Sequence, residues 1–219
     1  LREPLEEGTI HIARAALSLT FPANVLLLAA MNPCPCGYYR GDMGAVSGSA
    51  TFPGRSCLCS FEQVRRYRAR LSGPLLDRID MHVVVEPVPF RHFSSLREIE
   101  TSSIIRKRVQ GAREIQGSRL GAGKLNAEMS QSDLNESVSL SGCIMRQVEE
   151  AMNRFGFSTR AIGRILKVAR TIADLGGESR LLSDHVAEAI ELRLLDRLEP
   201  PRESQDIQVL RKRLMNMPG

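Results

Sequence analysis

Two close cysteine pairs, Cys34-Pro35-Cys36 and Cys57-Leu58-Cys59, flank residues 37–56. Two pairs joined by a loop is the form of a tetrahedral zinc site, in which each pair supplies two thiolates and the metal closes the loop. The spacing is C-x-C rather than the commoner C-x2-C. Free buried thiols, or a disulfide in an oxidising medium, therefore stay open beside a structural Zn2+. The set leaves no open coordination position, so a catalytic metal is not expected. Cys143 has no partner in the sequence and reads as a small core residue.

Two further groups could handle phosphate. Asn32 ends the apolar run Val25 to Ala30, and a carboxamide at the end of a buried parallel strand can donate to a phosphate oxygen or orient a water. The simpler reading is that Asn32-Pro33 is a turn. Arg78 stands in Leu75-Leu76-Asp77-Arg78-Ile79-Asp80, where it could serve an anion or pair on the surface with Asp77 or Asp80. The segment Gly117 to Leu125 has the outline of a phosphate-binding loop, but Leu125 occupies the place of the Mg2+-binding Ser or Thr, and a charged helix precedes it. It reads as a linker. His11, His82, His92 and His185 show no ligand or triad spacing.

The elements that must position these residues change character along the chain. Ile10 to Phe21 alternates like a short β-hairpin with Arg14 near its tip. Val25 to Ala30, bounded by breakers, reads as a strand buried on both faces, and Met81 to Glu86 as another short strand. Residues 37–56 are rich in Gly and Ser and read as a loop. Phe61, Val64, Tyr67 and Leu71 have helical spacing, and Ser72-Gly73-Pro74 ends that helix. From Ser94 to about Gln116 the pattern is helical and charged, with a flexible break at Gly117 to Gly123. Three amphipathic helices follow, near 141–154, 159–175 and 183–198. The middle one carries Ile162, Ile165, Leu166, Ala169, Ile172 and Ala173 on one stripe. Ser183 reads as an N-cap.

Composition bounds the class. An apolar share of 42% supports a packed core, while 5% aromatics and no Trp favour an aliphatic, helix-rich one. The net charge of +5 fits a polyanionic partner, but 25 acidic residues nearly balance 30 basic ones, so a merely solvated surface explains it as well. The longest apolar run is too short to span a bilayer, and the start has no signal-peptide form. No membrane association is expected, and the expected compartment is the cytoplasm, where cysteines bind metal or stay reduced.

The strings Leu26-Leu27-Leu28-Ala29-Ala30-Met31-Asn32-Pro33-Cys34-Pro35-Cys36-Gly37, Arg66-Tyr67 and Ser72-Gly73-Pro74-Leu75-Leu76-Asp77-Arg78-Ile79-Asp80 resemble the ComM-type branch of the magnesium-chelatase-like AAA+ ATPases. Thr171-Ile172-Ala173-Asp174-Leu175 and Lys124-Leu125-Asn126-Ala127 are similar to the same family, and the resemblance runs from residue 1 to about 195. It implies an α/β fold: the C-terminal part of an AAA+ (P-loop NTPase) core with parallel strands, then an all-α helical-bundle lid. The implied domains are a core part at 1–88 with a Cys-containing insert at 33–60, a linker helix and loop at 89–136, the lid at 137–199 and a tail at 200–219.

The resemblance also implies roles. Asn32 matches the sensor-1 position facing the γ-phosphate and its attacking water. Arg78 matches the arginine finger inserted into the neighbouring subunit's nucleotide site. Arg160 matches the sensor-2 arginine at the start of a lid helix, and Arg14 lies where related hairpins contact DNA in a pore. ATP and Mg2+ are the implied cofactors, with the Walker A and Walker B elements expected upstream of Leu1, so this segment alone is expected to be inactive. The implied parent protein is a homo-oligomer, expected to be a hexamer, acting on DNA as a helicase or branch-migration motor. The alternatives are a magnesium-chelatase-type ATPase subunit that drives metal insertion into a porphyrin, or a zinc-stabilised interaction module.

Overall fold

The computed structural model describes residues 2–14, 17–39, 57–85, 100–138 and 142–193. They fall into two compact units: a larger one from residues 1–26 and 73–197, and a smaller one whose described part lies within 27–72.

The larger unit begins with α1 (Arg2–Glu7) and the antiparallel pair β1 (Thr9–Arg14) and β2 (Leu17–Pro22), whose register sets Ile10 opposite Phe21 and Arg14 opposite Leu17. Gly8, at φ +65°, makes the turn into β1. A Cβ there would come within 2.5 Å of Asn24 Oδ1, the end of a side chain that can move aside, so it is the positive φ that favours glycine. Next in this unit come α3 (Gly73–Leu76), α4 (Ser102–Leu120), a 3-10 turn (Asn126–Glu128), α5 (Gln131–Ser137), α6 (Gly142–Phe155), α7 (Thr159–Leu175) and α8 (Ser183–Glu191). The smaller unit has one helix among its described residues, α2 (Phe61–Arg68).

The apolar stripe read in the sequence makes α7 the axis of the larger unit. Ala161, Ile162, Ile165, Leu166, Ala169 and Ala173 are all buried on it. Around it pack Ile144 and Val148 of α6, Val186 and Ile190 of α8, Leu134 of α5, and Phe157 and Leu181 from the turns. Ser158 caps α7 by accepting from the Ala161 N–H at 3.1 Å. Ser183, expected as the N-cap of the last helix, is instead its first residue; its hydroxyl donates to Gln147 Oε1 of α6 at 2.9 Å.

Two expectations fail here. Val25 to Ala30 forms no strand, and Leu26 and Leu28 are 98% and 94% exposed; Met81 to Val85 likewise contributes only one parallel bridge, between His82 and Arg193. Buried strands need ladder partners on both edges and cover on both faces. Beyond the His82–Arg193 bridge no described residue pairs with these runs, so no parallel sheet is present among the described residues. The flexible break at 117–123 is also shorter than expected, because α4 continues through Gly117 to Leu120 and ends at Gly121, φ +102°. A glycine inside a helix costs about 1 kcal/mol. That cost is met because Leu120 packs on the core and Arg119 is anchored to Asp174 at 2.7 Å and Asn126 at 2.8 Å.

No helix among the described residues is long and apolar enough to cross a membrane.

Candidate functional sites: a four-cysteine cluster and an arginine pair

In the smaller unit the two cysteine pairs converge. The Sγ atoms of Cys34, Cys36, Cys57 and Cys59 all lie within 4.8 Å of one another. Cys34 to Cys36 is 3.3 Å, Cys36 to Cys57 is 3.5 Å and Cys34 to Cys57 is 3.7 Å. A disulfide needs S–S near 2.05 Å, so none is formed among these four. Tetrahedral Zn–S bonds of about 2.3 Å set sulfur–sulfur edges of about 3.8 Å, close to the spacing seen.

Local sequence explains each half of the cluster. Gly37, at φ +83°, lets the chain turn so that its N–H donates to the Cys34 carbonyl at 3.0 Å. The Tyr39 N–H then donates to Cys34 Sγ at 3.3 Å. On the other side Ser60 caps α2 in a capping box with Gln63, fixing the exit from Cys59. Arg68 of α2 donates to the Pro33 carbonyl at 3.3 Å and lies over the Tyr39 ring at 4.9 Å, tying the halves together.

The thiols differ in acidity. A backbone N–H from Tyr38 holds Cys36 down to about 6, whereas burial pushes Cys57 up to about 12 and raises Cys59 as well. A divalent ion would favour the thiolate at every position. The donor set therefore fits a closed structural Zn2+.

The second site lies in the larger unit. One turn of helix at α3 runs on through hydrogen bonds from the Arg78 N–H to Leu75 O and from the Ile79 N–H to Leu76 O, both 3.0 Å. Arg78 thereby faces α1. Its Nε donates to Glu6 Oε2 at 2.9 Å, its Nη2 binds the same oxygen, and its Nη1 donates to the Pro74 carbonyl at 2.6 Å. Arg160, on the first turn of α7, binds the other carboxylate oxygen of Glu6 at 2.5 Å. The Arg78 hydrogen bond holds the Glu6 carboxyl below its usual range against the opposing effect of burial, aided by the charge of Arg160.

Arg78 pairs with neither neighbouring acid. Asp77 accepts from the Ser158 hydroxyl at 3.3 Å, and Asp80 is ion-paired with Arg164. Arg78 is 12% exposed at its side chain and Arg160 51%. Nothing in the pattern of residues 2–7 marked Glu6, since its partner Arg78 lies 72 positions away in sequence. Asn32 belongs to the smaller unit, where it is exposed beside Cys34. Arg14 is exposed at the end of β1, next to the hairpin tip.

Comparison with known proteins agrees with the sequence resemblance. Residues 1–93 match the family described as magnesium chelatase, subunit ChlI, and residues 99–193 match the C-terminal region of that subunit. The chain is 41% identical over 199 residues to Competence protein ComM of Haemophilus influenzae, covering 90% of this chain and 36% of that protein. It is 38% identical over 200 residues to the protein YifB of Escherichia coli, again covering 90% of this chain and 36% of the relative. The chain thus spans about a third of the length of the curated relatives it matches. Two consecutive family matches and these identities establish that the chain belongs to the magnesium-chelatase-like AAA+ family, together with ComM and YifB.

Proposed function

We propose that this chain is the nucleotide-responding part of an ATP-driven, oligomeric AAA+ motor that acts on DNA. In this reading residues 1–88 complete an AAA+ core, 89–136 link it to a helical lid at 137–199, and the parent assembles as a ring, expected to be a hexamer. The observation that carries the reading is the Glu6 carboxylate held at once by Arg78 and Arg160. Two guanidinium groups converging on one anion form a phosphate-sized clamp, and a carboxylate is the nearest protein equivalent of two phosphate oxygens.

When bound, ATP with Mg2+ supplies the phosphoryl group and its counter-ion. What the chain contributes is placement of charge. Arg78 and Arg160 leave Glu6 and grip the phosphates presented by a neighbouring subunit, while Asn32 orients the attacking water. Phosphoryl transfer needs little covalent help, so a finger arginine supplied from outside is worth about 10³–10⁵ in rate. Since one carboxylate serves both arginines, they serve one nucleotide together rather than two separate ones. The inward pairing of Arg78 is then a resting state that subunit assembly must open. The segment alone is expected to be inactive, because its sequence contains no phosphate-binding loop of the G-x-x-x-x-G-K-[ST] form.

Arg14 contacts a DNA phosphate from the hairpin tip, a contact that salt should weaken. Zn2+ on the four cysteines holds the smaller unit in shape.

The test uses the full-length protein. Arg78→Ala should lower ATP turnover by about 10³-fold or more. Turnover within about twofold of the parent removes the finger assignment and with it the motor reading. Salt-sensitive binding to branched or single-stranded DNA, weakened by Arg14→Ala, supports the DNA branch. ATPase activity without any DNA binding favours a chelatase-type subunit instead.

A further inference from the structure

Arg193 is 0% exposed and lies just beyond α8, more than a hundred positions from the Asp77 to His82 turn that carries Arg78. Its Nη1 donates to the carbonyl of Ile79, the residue immediately after Arg78, at 2.6 Å. The strand-like bridge between His82 and Arg193 adds a second tie, with the His82 N–H donating to Leu192 O at 2.5 Å. Two surface contacts reinforce it, Ser158 on Asp77 and Arg164 on Asp80. Residues 77, 79, 80 and 82 are therefore all fastened to the helical bundle, and Arg78 projects toward Glu6 from a backbone held on both sides.

We propose that Arg193 is a positioning residue for Arg78: it bolts the finger turn to the lid, so that the two move as one piece when nucleotide is engaged. This rests on the finger reading of Arg78. A buried guanidinium is costly unless its donors are used, and here a donor is spent on a backbone carbonyl of the finger turn. A purely apolar residue would pack at this point without that cost. What the arginine adds is direction: it fixes the plane of the Ile79–Asp80 peptide, one residue beyond Arg78. Catalytic groups displaced by about 1 Å lose about 10²-fold in rate.

The experiment measures steady-state ATP turnover of full-length protein carrying Arg193→Gln, Arg193→Lys, Arg78→Ala or the double change Arg78→Ala with Arg193→Gln. Arg193→Gln should lower kcat per folded subunit about 10²-fold while leaving KM for ATP within about twofold, and Arg193→Lys, which keeps a donor, should recover part of the loss. The double variant should be no slower than Arg78→Ala alone, because Arg193 acts through Arg78. Arg193→Gln with parental kcat and only a lower Tm makes the residue merely structural and overturns the proposal. A double variant slower than Arg78→Ala by the full Arg193 effect also overturns it. If Arg78→Ala itself leaves kcat unchanged, the finger reading fails first. Should Arg193→Gln not fold, Asp80→Asn, an exposed change on the same turn, must still lower kcat at unchanged KM, and parental kcat there refutes the coupling.

Discussion

The two units of this protein solve the problem of staying folded by different means. The larger one buries Ile144, Ile165, Val186 and their neighbours around α7, and its buried carboxylate is well partnered: Asp174 accepts from Arg119, Asn126 and Arg170 within 3.1 Å. In the smaller one, only Cys34 and Val64 are buried among the described residues. Its described residues, one helix of eight residues and two knuckles, bury too little apolar surface to offset the entropy of ordering them. The contrast teaches where a metal would matter most. Where so few described residues are buried a cross-link would help, and four sulfurs within 4.8 Å of one another are the candidate.

The largest expected effect follows from this. The purified protein should hold about one zinc per chain, and a strong chelator or Cys34→Ser should unfold the smaller unit while leaving the lid intact. Structural zinc contributes an apparent ~10–16 kcal/mol at neutral pH, far more than any other feature of this unit. Hydrogen exchange reads it out: amides of α2 lose protection on chelation and those of α7 do not. Trace metal only, or equal loss in both helices, ends the distinction between the regions.

Acid should separate the regions in order. Zinc leaves first as falling pH protonates the thiolates. The lid persists further, because Asp174 is held below its ordinary value of 3.8: burial opposes this, but hydrogen bonds from Arg119 and Asn126 and the charge of Arg170 prevail. A depressed folded pKa gives stability that is present above the unfolded value and lost as pH drops through the folded one. The lid should therefore keep its helicity by circular dichroism until below about pH 4, after zinc release is complete. Asp174→Asn leaves Arg119 and Arg170 without their shared charge and should cost about 3–5 kcal/mol in lid stability. A lid that melts together with zinc release would show that the two units are not independent.

Truncation at the centre of the apolar core should be felt in the lid alone. Ile165→Ala removes a fully buried side chain on α7 and should cost about 2–5 kcal/mol, read as a lower denaturant midpoint for the lid with zinc content unchanged.

How legible each region was follows from the same contrast. Ile162, Ile165, Leu166 and Ala169 repeat at helical spacing because the core is aliphatic and one-sided, so α7 could be read residue for residue. The cysteine pairs were legible because ligand chemistry leaves a spacing behind, even across residues 37–56. What the sequence hid depends on distant partners. Val25 to Ala30 has a strand's composition, yet strand formation is decided by neighbours that no local pattern encodes. The run 117–123 reads as a break by its glycines, and only the bonds from Arg119 to Asp174 and Asn126 extend the helix past Gly117. Glu6, which joins Arg78 to Arg160, carries no local signature at all.

The smallest effect is the sharpest probe, because the same residue performs the same local task in both regions. Ser158 caps α7 and Ser60 caps α2, each accepting from a backbone N–H three residues on, at 3.1 and 3.3 Å. Either Ser→Ala change removes about 1 kcal/mol of helix stability. In the lid that loss appears as a slightly lower melting midpoint, with zinc affinity untouched. If folding and metal binding form one equilibrium in the cysteine unit, the same 1 kcal/mol should appear as about fivefold weaker zinc binding in a competition titration, with the melting of the larger unit unchanged. If Ser60→Ala leaves zinc affinity at the parental value, α2 folds independently of the metal, and the claim that this unit lacks a self-sufficient core is wrong.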